Sequence, residues 1–276
     1  MWVHNLNPVL LNLGVLQIRW YGLMYVLGFL FTYYWARKRI LFGTISAKLL
    51  SLSDLDSSLS WMTFSMIIGA RIGEVLLYHP SYYFANPLKI FAIWEGGLSF
   101  HGALVGMILV VLWWCQSRKR SFLEIADVFC VPISLANAFG RIGNFINGEL
   151  PGTITSLPWA VQFPSAVDFR HPSQLYEAAY DILIFVILCY TPRYLPRLFP
   201  SYFHSSHGSS CDVPKGTTFA MFLILYAIFR SLVEFVREPE IMVGFLTLGQ
   251  LLNIGMIIGG VGILWYARRS SSSFTA

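Results

Sequence analysis

The chain has 276 residues, of which 56% are apolar, 16% aromatic and only 12% charged, with a formal net charge of +5 and a mean hydropathy of +0.60. A soluble domain is closer to about 45–50% apolar and about 25% charged, so these values exclude a disordered chain and argue against a water-soluble globule. The four cysteines (Cys115, Cys130, Cys189 and Cys211) show no metal-binding spacing and imply no disulfide framework.

Residues 1–18 contain no Lys or Arg, so a cleavable signal peptide is not expected. Apolar runs of spanning length follow near 20–36, 59–78, 98–115, 122–143, 174–191, 217–236 and 246–267. Backbone groups in lipid must be satisfied within the segment, so each run predicts a helix. The expectation is an all-α integral membrane protein with seven transmembrane helices, forming one polytopic domain over 1–276.

The basic residues orient these spans. Arg37, Lys38, Arg39 and Lys48 follow the first run, and Arg118, Lys119 and Arg120 follow the third. Arg193, Arg197 and Lys215 lie between the fifth and sixth, and Arg268 and Arg269 follow the seventh. With seven spans all twelve fall on one side, which places the N-terminus outside and the C-terminus in the cytoplasm. The positive net charge thus has a topological cause, and no nucleic-acid partner is expected. Segment 144–173, rich in Gly, Pro and Ser with an alternating stretch at Trp159–Phe163, is expected to form a small external cap. Segment 193–216 reads as a polar cytoplasmic insert, with His204 and His207 solvated rather than metal-binding.

Charge inside the spans is the chemical anomaly. Each such group costs about 2.5–3.5 kcal/mol at a helix centre, so Arg71, Glu74, Arg141, Arg230, Glu234 and Arg237 are expected to face one another, water or a ligand. Tyr226, Arg230, Glu234 and Arg237 fall within about 80° of arc on one helix, and Ser134, Asn137, Arg141 and Asn144 do the same on another. Two readings remain open at this point: ion-pair ladders that join helices, or an anion cradle whose guanidinium forks match phosphate oxygens. A lipid phosphate is the most economical anion there. His101, with Gly102 after it and Gly96 and Gly97 shortly before, is either an interfacial histidine or an accessible base. Gly69-x-x-x-Gly73 and Gly102-x-x-x-Gly106 are faces for close helix packing, and Arg71 and Glu74 have the spacing of an ion pair within the second span. A transporter lined by the same stripes, or a lipid-binding scaffold, are rival classes. The absence of paired repeats weighs against the transporter.

The run Gly140-Arg141-Ile142-Gly143-Asn144-Phe145-Ile146-Asn147-Gly148-Glu149-Leu150-Pro151-Gly152 matches the signature of the bacterial prolipoprotein diacylglyceryl transferases. Further blocks stand in the family's order: WYGLMY at Trp20–Tyr25, SFHG at Ser99–Gly102, RHPSQLYE at Arg170–Glu177 and FR-x-x-VEF-x-R at Phe229–Arg237. The chain therefore resembles this family over most of its length, departing at Ala103, where a second glycine is common, and at Glu74, where an aromatic is common. The resemblance implies a multi-pass protein of the bacterial inner (plasma) membrane, surrounded by membrane lipids, with its active site towards the outer side. It implies a transferase that moves the diacylglyceryl group of phosphatidylglycerol to the lipobox cysteine thiol of preprolipoprotein signal peptides. A thioether forms and glycerol phosphate leaves, in the first step of lipoprotein maturation, with no metal and no organic cofactor. His101, Arg141 and Arg230 correspond to the catalytic positions, His101 as a base or a positioning group. Arg141 looks like the phosphatidylglycerol contact, and Tyr21, Asn144, Glu149, Glu234 and Arg237 correspond to polar, substrate-binding positions of the same site.

Overall fold

The computed structural model describes residues 1–14, 16–93, 96–198, 213–238 and 242–272. His204, His207 and Cys211 lie outside the described residues, as does most of the 193–216 insert. Each of the seven apolar runs coincides with a helix: α1 (Trp20–Leu41), α2 (Leu52–Gly73), α4 (Phe100–Ser117), α5 (Phe122–Asn147), α6 (Ser173–Leu198), α7 (Thr217–Glu234) and α8 (Leu248–Ser272). The short helix α3 (Pro80–Ala85) follows a π-helical extension of α2 at Glu74–Tyr78. Among the described residues five segments are long and apolar enough to cross a membrane: Leu52–Tyr78, Phe122–Asn147, Ser173–Thr191, Thr217–Glu234 and Leu248–Arg269. Gly102–Ser117 is a shorter apolar helix, and the four tyrosines and two tryptophans of α1 lower the hydropathy of its 22 residues. Apolar side chains such as Phe64, Leu109, Leu252 and Ile258 face outwards, as lipid-facing surfaces require and a water-soluble fold would not tolerate in such numbers.

The chain divides into two compact units, one comprising Met1–Trp35 with Ala126–Ala276 and the other Ala36–Ile125. In the Ala36–Ile125 unit, Ser51 and Asp54 form a capping box at the start of α2. Asp54 Oδ1 also accepts a hydrogen bond from Arg118 Nη1 at 2.8 Å, tying that start to the end of α4. The two small-residue faces meet as expected. A Cβ added at Gly69 would lie 2.5 Å from the Gly102 carbonyl oxygen, and one at Gly106 would lie 2.4 Å from that of Ser65. Only hydrogen at these positions lets the two backbones touch.

Arg71 and Glu74 do not pair with each other as their spacing suggested. Arg71 donates to the carbonyl oxygens of Ile90, Gly96, Gly97, Lys89 and Ala92, and its guanidinium lies over the Tyr83 ring. Glu74 instead meets His79 Nδ1 at 2.8 Å. A segment that turns five carbonyl oxygens towards one guanidinium matches its five N–H donors better than a single carboxylate does. Two residues beyond Gly97, the Ser99 amide bonds Ala70 O at 2.9 Å and the Ser99 hydroxyl caps α4 at Gly102 N.

In the other unit the all-α expectation is incomplete, because short strands tie the inter-helix segments together. β1 (Trp2–Val3) runs parallel to β4 (Val161–Gln162), which pairs antiparallel with β5 (Phe169–Arg170). β2 (Val9–Leu13) and β3 (Leu16–Arg19) form a hairpin before α1, and β6 (Met242–Val243) and β7 (Leu246–Thr247) form one before α8. The alternating stretch Trp159–Phe163 supplies β4, with Phe163 fully buried against His4 and Phe145. Backbone outside the helices still needs partners, and paired strands provide them. Cys130, Val131, Tyr180, Ile184 and Leu188 form a core between α5 and α6, covered by Phe219, Phe222, Leu225 and Phe229 of α7. Asp127 on α5 accepts hydrogen bonds from Gly216 N at 2.6 Å and Phe219 N at 2.7 Å, so a carboxylate on one helix caps another.

Candidate functional site

Three arginines from two sequence blocks meet at one carboxylate supplied by a third. Glu177 lies one turn into α6 and is fully buried. Arg141 Nε on α5 approaches its Oε2 at 3.0 Å. Arg230 Nε on α7 lies 3.7 Å from its Oε1, and Arg237 Nη1, just past α7, lies 3.2 Å from the same oxygen. Arg230 also donates to Glu234 one turn on, and Glu234 accepts from Thr247 Oγ1 at 2.7 Å on β7. Of the predicted stripe, Tyr226, Arg230 and Glu234 lie on α7, whereas Arg237 stands beyond its end in a bridge to Gly152; Arg230 and Arg237 converge with Arg141 on a third helix.

The C-terminal end of α5 adds a second polar group. Asn144 and Asn147 each place an amide nitrogen 3.2 Å from Glu149, one on each carboxylate oxygen. Glu149 stands in the turn behind Gly148, whose φ of +70° is left-handed and suits glycine. Gln174 donates to the Glu149 carbonyl and Ser173 to that of Leu150 at 2.9 Å, fastening this turn to the start of α6. Tyr21 on α1 packs on Gly143, where a Cβ would fall 3.0 Å from its ring, and its hydroxyl meets that of Tyr25 at 2.9 Å. Ser134, on the Arg141 stripe in sequence, is not in this group. Its hydroxyl bonds back to Val131 O at 2.6 Å.

The segment between α5 and α6 is pinned to the end of α7. Gly152 N donates to His171 O at 2.9 Å, and Thr153 N donates to Val236 O at 2.8 Å. A Cβ at Gly152 would lie 2.4 Å from Val236 O, so the strand passage beside Arg237 demands glycine. Arg170 bonds Gly152 O at 3.1 Å and pairs with Glu238. Trp159 Nε1 donates to Tyr176 Oη at 2.7 Å, and Tyr176 Oη lies 3.1 Å from His171 Nδ1. Burial lowers the His171 imidazole from its ordinary pKa.

Arg141, Arg230, Arg237 and Glu234 thus share one ion-paired cluster, while Tyr21, Asn144 and Glu149 gather at the end of α5. His101 is the second residue of α4, in the other unit, and its side chain lies outside the described residues. Glu177 and Asp181 escaped the selection of site residues. Both carry the signal that singled out Arg141, a charge inside an apolar run, yet the partners of Glu177 are far away in sequence and no local spacing reveals them. Thr247 carried no comparable signal.

A helical membrane protein with arginines from separate helices gathered on a buried carboxylate is the class that fold and cluster define. Residues 8–266 match the family model described as prolipoprotein diacylglyceryl transferase. Curated relatives carry the name phosphatidylglycerol--prolipoprotein diacylglyceryl transferase. That of Bordetella parapertussis is 40% identical over 274 residues, covering 97% of this chain and 98% of its own. That of Cupriavidus metallidurans is 41% identical, covering 100% and 99%, and that of Aliivibrio fischeri is 40% identical, covering 96% and 91%. The chain belongs to the prolipoprotein diacylglyceryl transferase family and is a transferase.

Proposed function

We propose that this chain transfers the diacylglyceryl group of phosphatidylglycerol to the lipobox cysteine thiol of preprolipoprotein signal peptides. The bond that breaks joins the phosphate oxygen to the glycerol carbon of the diacylglyceryl group. The bond that forms joins that carbon to sulfur, and the thiol proton passes to a base. Glycerol phosphate carries away the electron pair of the broken bond.

The observation that carries this reading is the convergence of Arg141, Arg230 and Arg237 at distances of 3.0, 3.7 and 3.2 Å from one carboxylate. Such a cluster is built to hold oxyanions. As the carbon–oxygen bond lengthens, negative charge grows on the departing phosphate, and guanidinium groups held ready by the fold stabilise it. Donors of this kind contribute about 3–4 kcal/mol each. The thiol needs less help. With a pKa of about 8.5, roughly 3% is thiolate at pH 7, a handicap of about 2 kcal/mol. His101 acts as base or positions the thiol, and ranks below the two arginines Arg141 and Arg230. Tyr21, Asn144 and Glu149 orient the head group, and Glu234 and Arg237 hold the arginine cluster in place.

In this reading the seven apolar helices all span the bacterial inner membrane, N-terminus outside, with the twelve grouped basic residues on the cytoplasmic side. The strand-tied segment 144–173 forms the external cap, 193–216 is the cytoplasmic insert, and the chemistry lies towards the outer face. The test uses purified protein in detergent with labelled phosphatidylglycerol and a lipobox peptide. Label should move to the peptide and should not move when the peptide cysteine is replaced by serine. His101→Gln should retain measurable transfer, whereas Arg141→Ala should not. Ion flux without transfer, or lipid binding without transfer, would reject the proposal.

A further inference from the structure

Arg71 is a charge within an apolar run that the transfer chemistry leaves without a task. It is buried on α2, in the same compact unit as His101. We infer that Arg71 is a positioning residue for His101: its guanidinium grips the loop from Lys89 to Gly97 and so fixes the start of α4, the helix that carries His101. This rests on the transferase reading above, in which His101 takes the thiol proton or places the thiol.

The grip is made on the main chain of the loop. Arg71 Nε donates to Ile90 O at 2.8 Å, and Nη1 donates to Gly96 O at 2.6 Å and Gly97 O at 2.8 Å. Nη2 donates to Lys89 O and, at 3.2 Å, to Ala92 O. The Tyr83 ring covers one face of the guanidinium, its centroid 4.9 Å from Cζ. Gly96 and Gly97 have φ of +88° and +70°, a left-handed backbone that suits glycine. A Cβ at Gly97 would lie 2.8 Å from Tyr83 Oη and 3.0 Å from Arg71 Nη1, so loop and guanidinium are in close contact there. Lysine cannot reproduce this arrangement, because three donors on one nitrogen do not span five carbonyl oxygens set around a planar fork.

The start of α4 follows directly. Ser99, its N-cap, donates from its amide to Ala70 O at 2.9 Å and accepts from Gly102 N at 3.1 Å through its hydroxyl. Neighbouring residues of α2 thus hold the approach to α4, Ala70 by its carbonyl at Ser99 and Arg71 by its side chain at Gly96 and Gly97. The Gly69–Gly102 contact sets how closely α4 meets α2, and Arg71 sets the loop that feeds it. His101 stands four positions after Gly97, so little chain separates the last anchor from the imidazole. A misplacement of about 1 Å in a group that acts on the substrate can cost about 10²-fold in rate.

The experiment is a double-mutant cycle on the full chain in the labelled-lipid transfer assay, with Arg71→Lys, His101→Gln and the two combined. Arg71→Lys keeps the charge and loses the fork. It should lower kcat at least about tenfold and leave KM for phosphatidylglycerol within about threefold, since in this reading Arg141 and Arg230 hold the lipid phosphate. In the His101→Gln background the same change should cost less than about threefold, because the group being positioned is already gone. Losses that multiply across the cycle overturn the inference, since a residue that only supports the fold impairs both backgrounds alike. Arg71→Lys with wild-type kcat, or with a loss confined to KM, overturns it as well. If Arg71→Lys does not fold, Gly97→Ala takes its place in the cycle. That change drives a Cβ against Tyr83 Oη and displaces the loop with Arg71 intact, and the same outcomes decide. Failure of the broader reading looks different. Wild type that transfers no label rejects the transferase reading itself. Active wild type equalled by His101→Gln rejects the role of His101, and with it the positioning by Arg71, while leaving the transfer reaction in place.

Discussion

Arg141 on α5 and Glu177 on α6 stand 3.0 Å apart, guanidinium Nε to carboxylate Oε2, although 36 positions separate them in the chain. The contact uses Nε, one edge of a planar five-donor group, and leaves the fork available to a second anion. Lysine offers a single point charge on a flexible stem and cannot do both. Arg141→Lys is therefore expected to lose at least tenfold in kcat/KM, and Arg141→Ala to fall below measurable transfer, a loss of more than about 10³-fold. The labelled-lipid transfer assay reads both. A lysine variant with near-wild-type activity would show that charge alone suffices.

Asp127 caps α7 from a neighbouring helix through Gly216 N and Phe219 N, and the N-cap residue Gly216 has no side chain to do so itself. The cap fixes where α7 starts and thus the rotation at which Arg230 and Glu234 emerge. Removing a cap costs about 0.5–2 kcal/mol. Asp127→Ala should lower Tm in detergent by that scale, with Asp127→Asn retaining roughly half because one oxygen acceptor remains. Equal Tm values for wild type and Asp127→Ala would show the cap to be dispensable.

The crossing of α2 and α4 is set by backbone, not by side chains. A Cβ at Gly102 would lie 2.3 Å from Gly69 O, so Gly102→Ala must push the helices apart at a cost of about 1–3 kcal/mol. Gly255 on α8 has nothing within 4 Å of an added Cβ. There alanine should be neutral or stabilise by up to about 1 kcal/mol, since it favours helix more than glycine does. Thermal unfolding of the two variants should give shifts of opposite sign, or a large loss against no change.

Burial lowers the pKa of His171 from its ordinary value of 6.5. The unfolded chain therefore binds this proton first as pH falls. The stability held by the neutral ring is complete above pH 6.5 and declines as pH drops from there through the lower folded-state value. Tm of wild type should fall between pH 7.5 and 5, and His171→Gln should fall less steeply over the same interval. Parallel Tm profiles would show that the Tyr176–His171 contact does not resist protonation.

The sequence by itself determined where the helices lie, because twenty-odd apolar residues in a row have few other ways to satisfy their backbone in lipid. It also marked Gly69, Gly73, Gly102 and Gly106 as faces for close helix packing, though not that these two faces meet, and it showed that Arg230 and Glu234 share a helix face. These are local periodicities, readable from spacing alone. The tertiary structure decided the partners. Arg71 left Glu74 for the carbonyls of a loop up to 26 residues away, and Arg141 found Glu177. The strands joining the N-terminus to the 144–173 segment pair residues about 160 positions apart. A buried charge announces that it needs a counterpart, but the counterpart's identity depends on which helices pack together, and that is a property of the whole core.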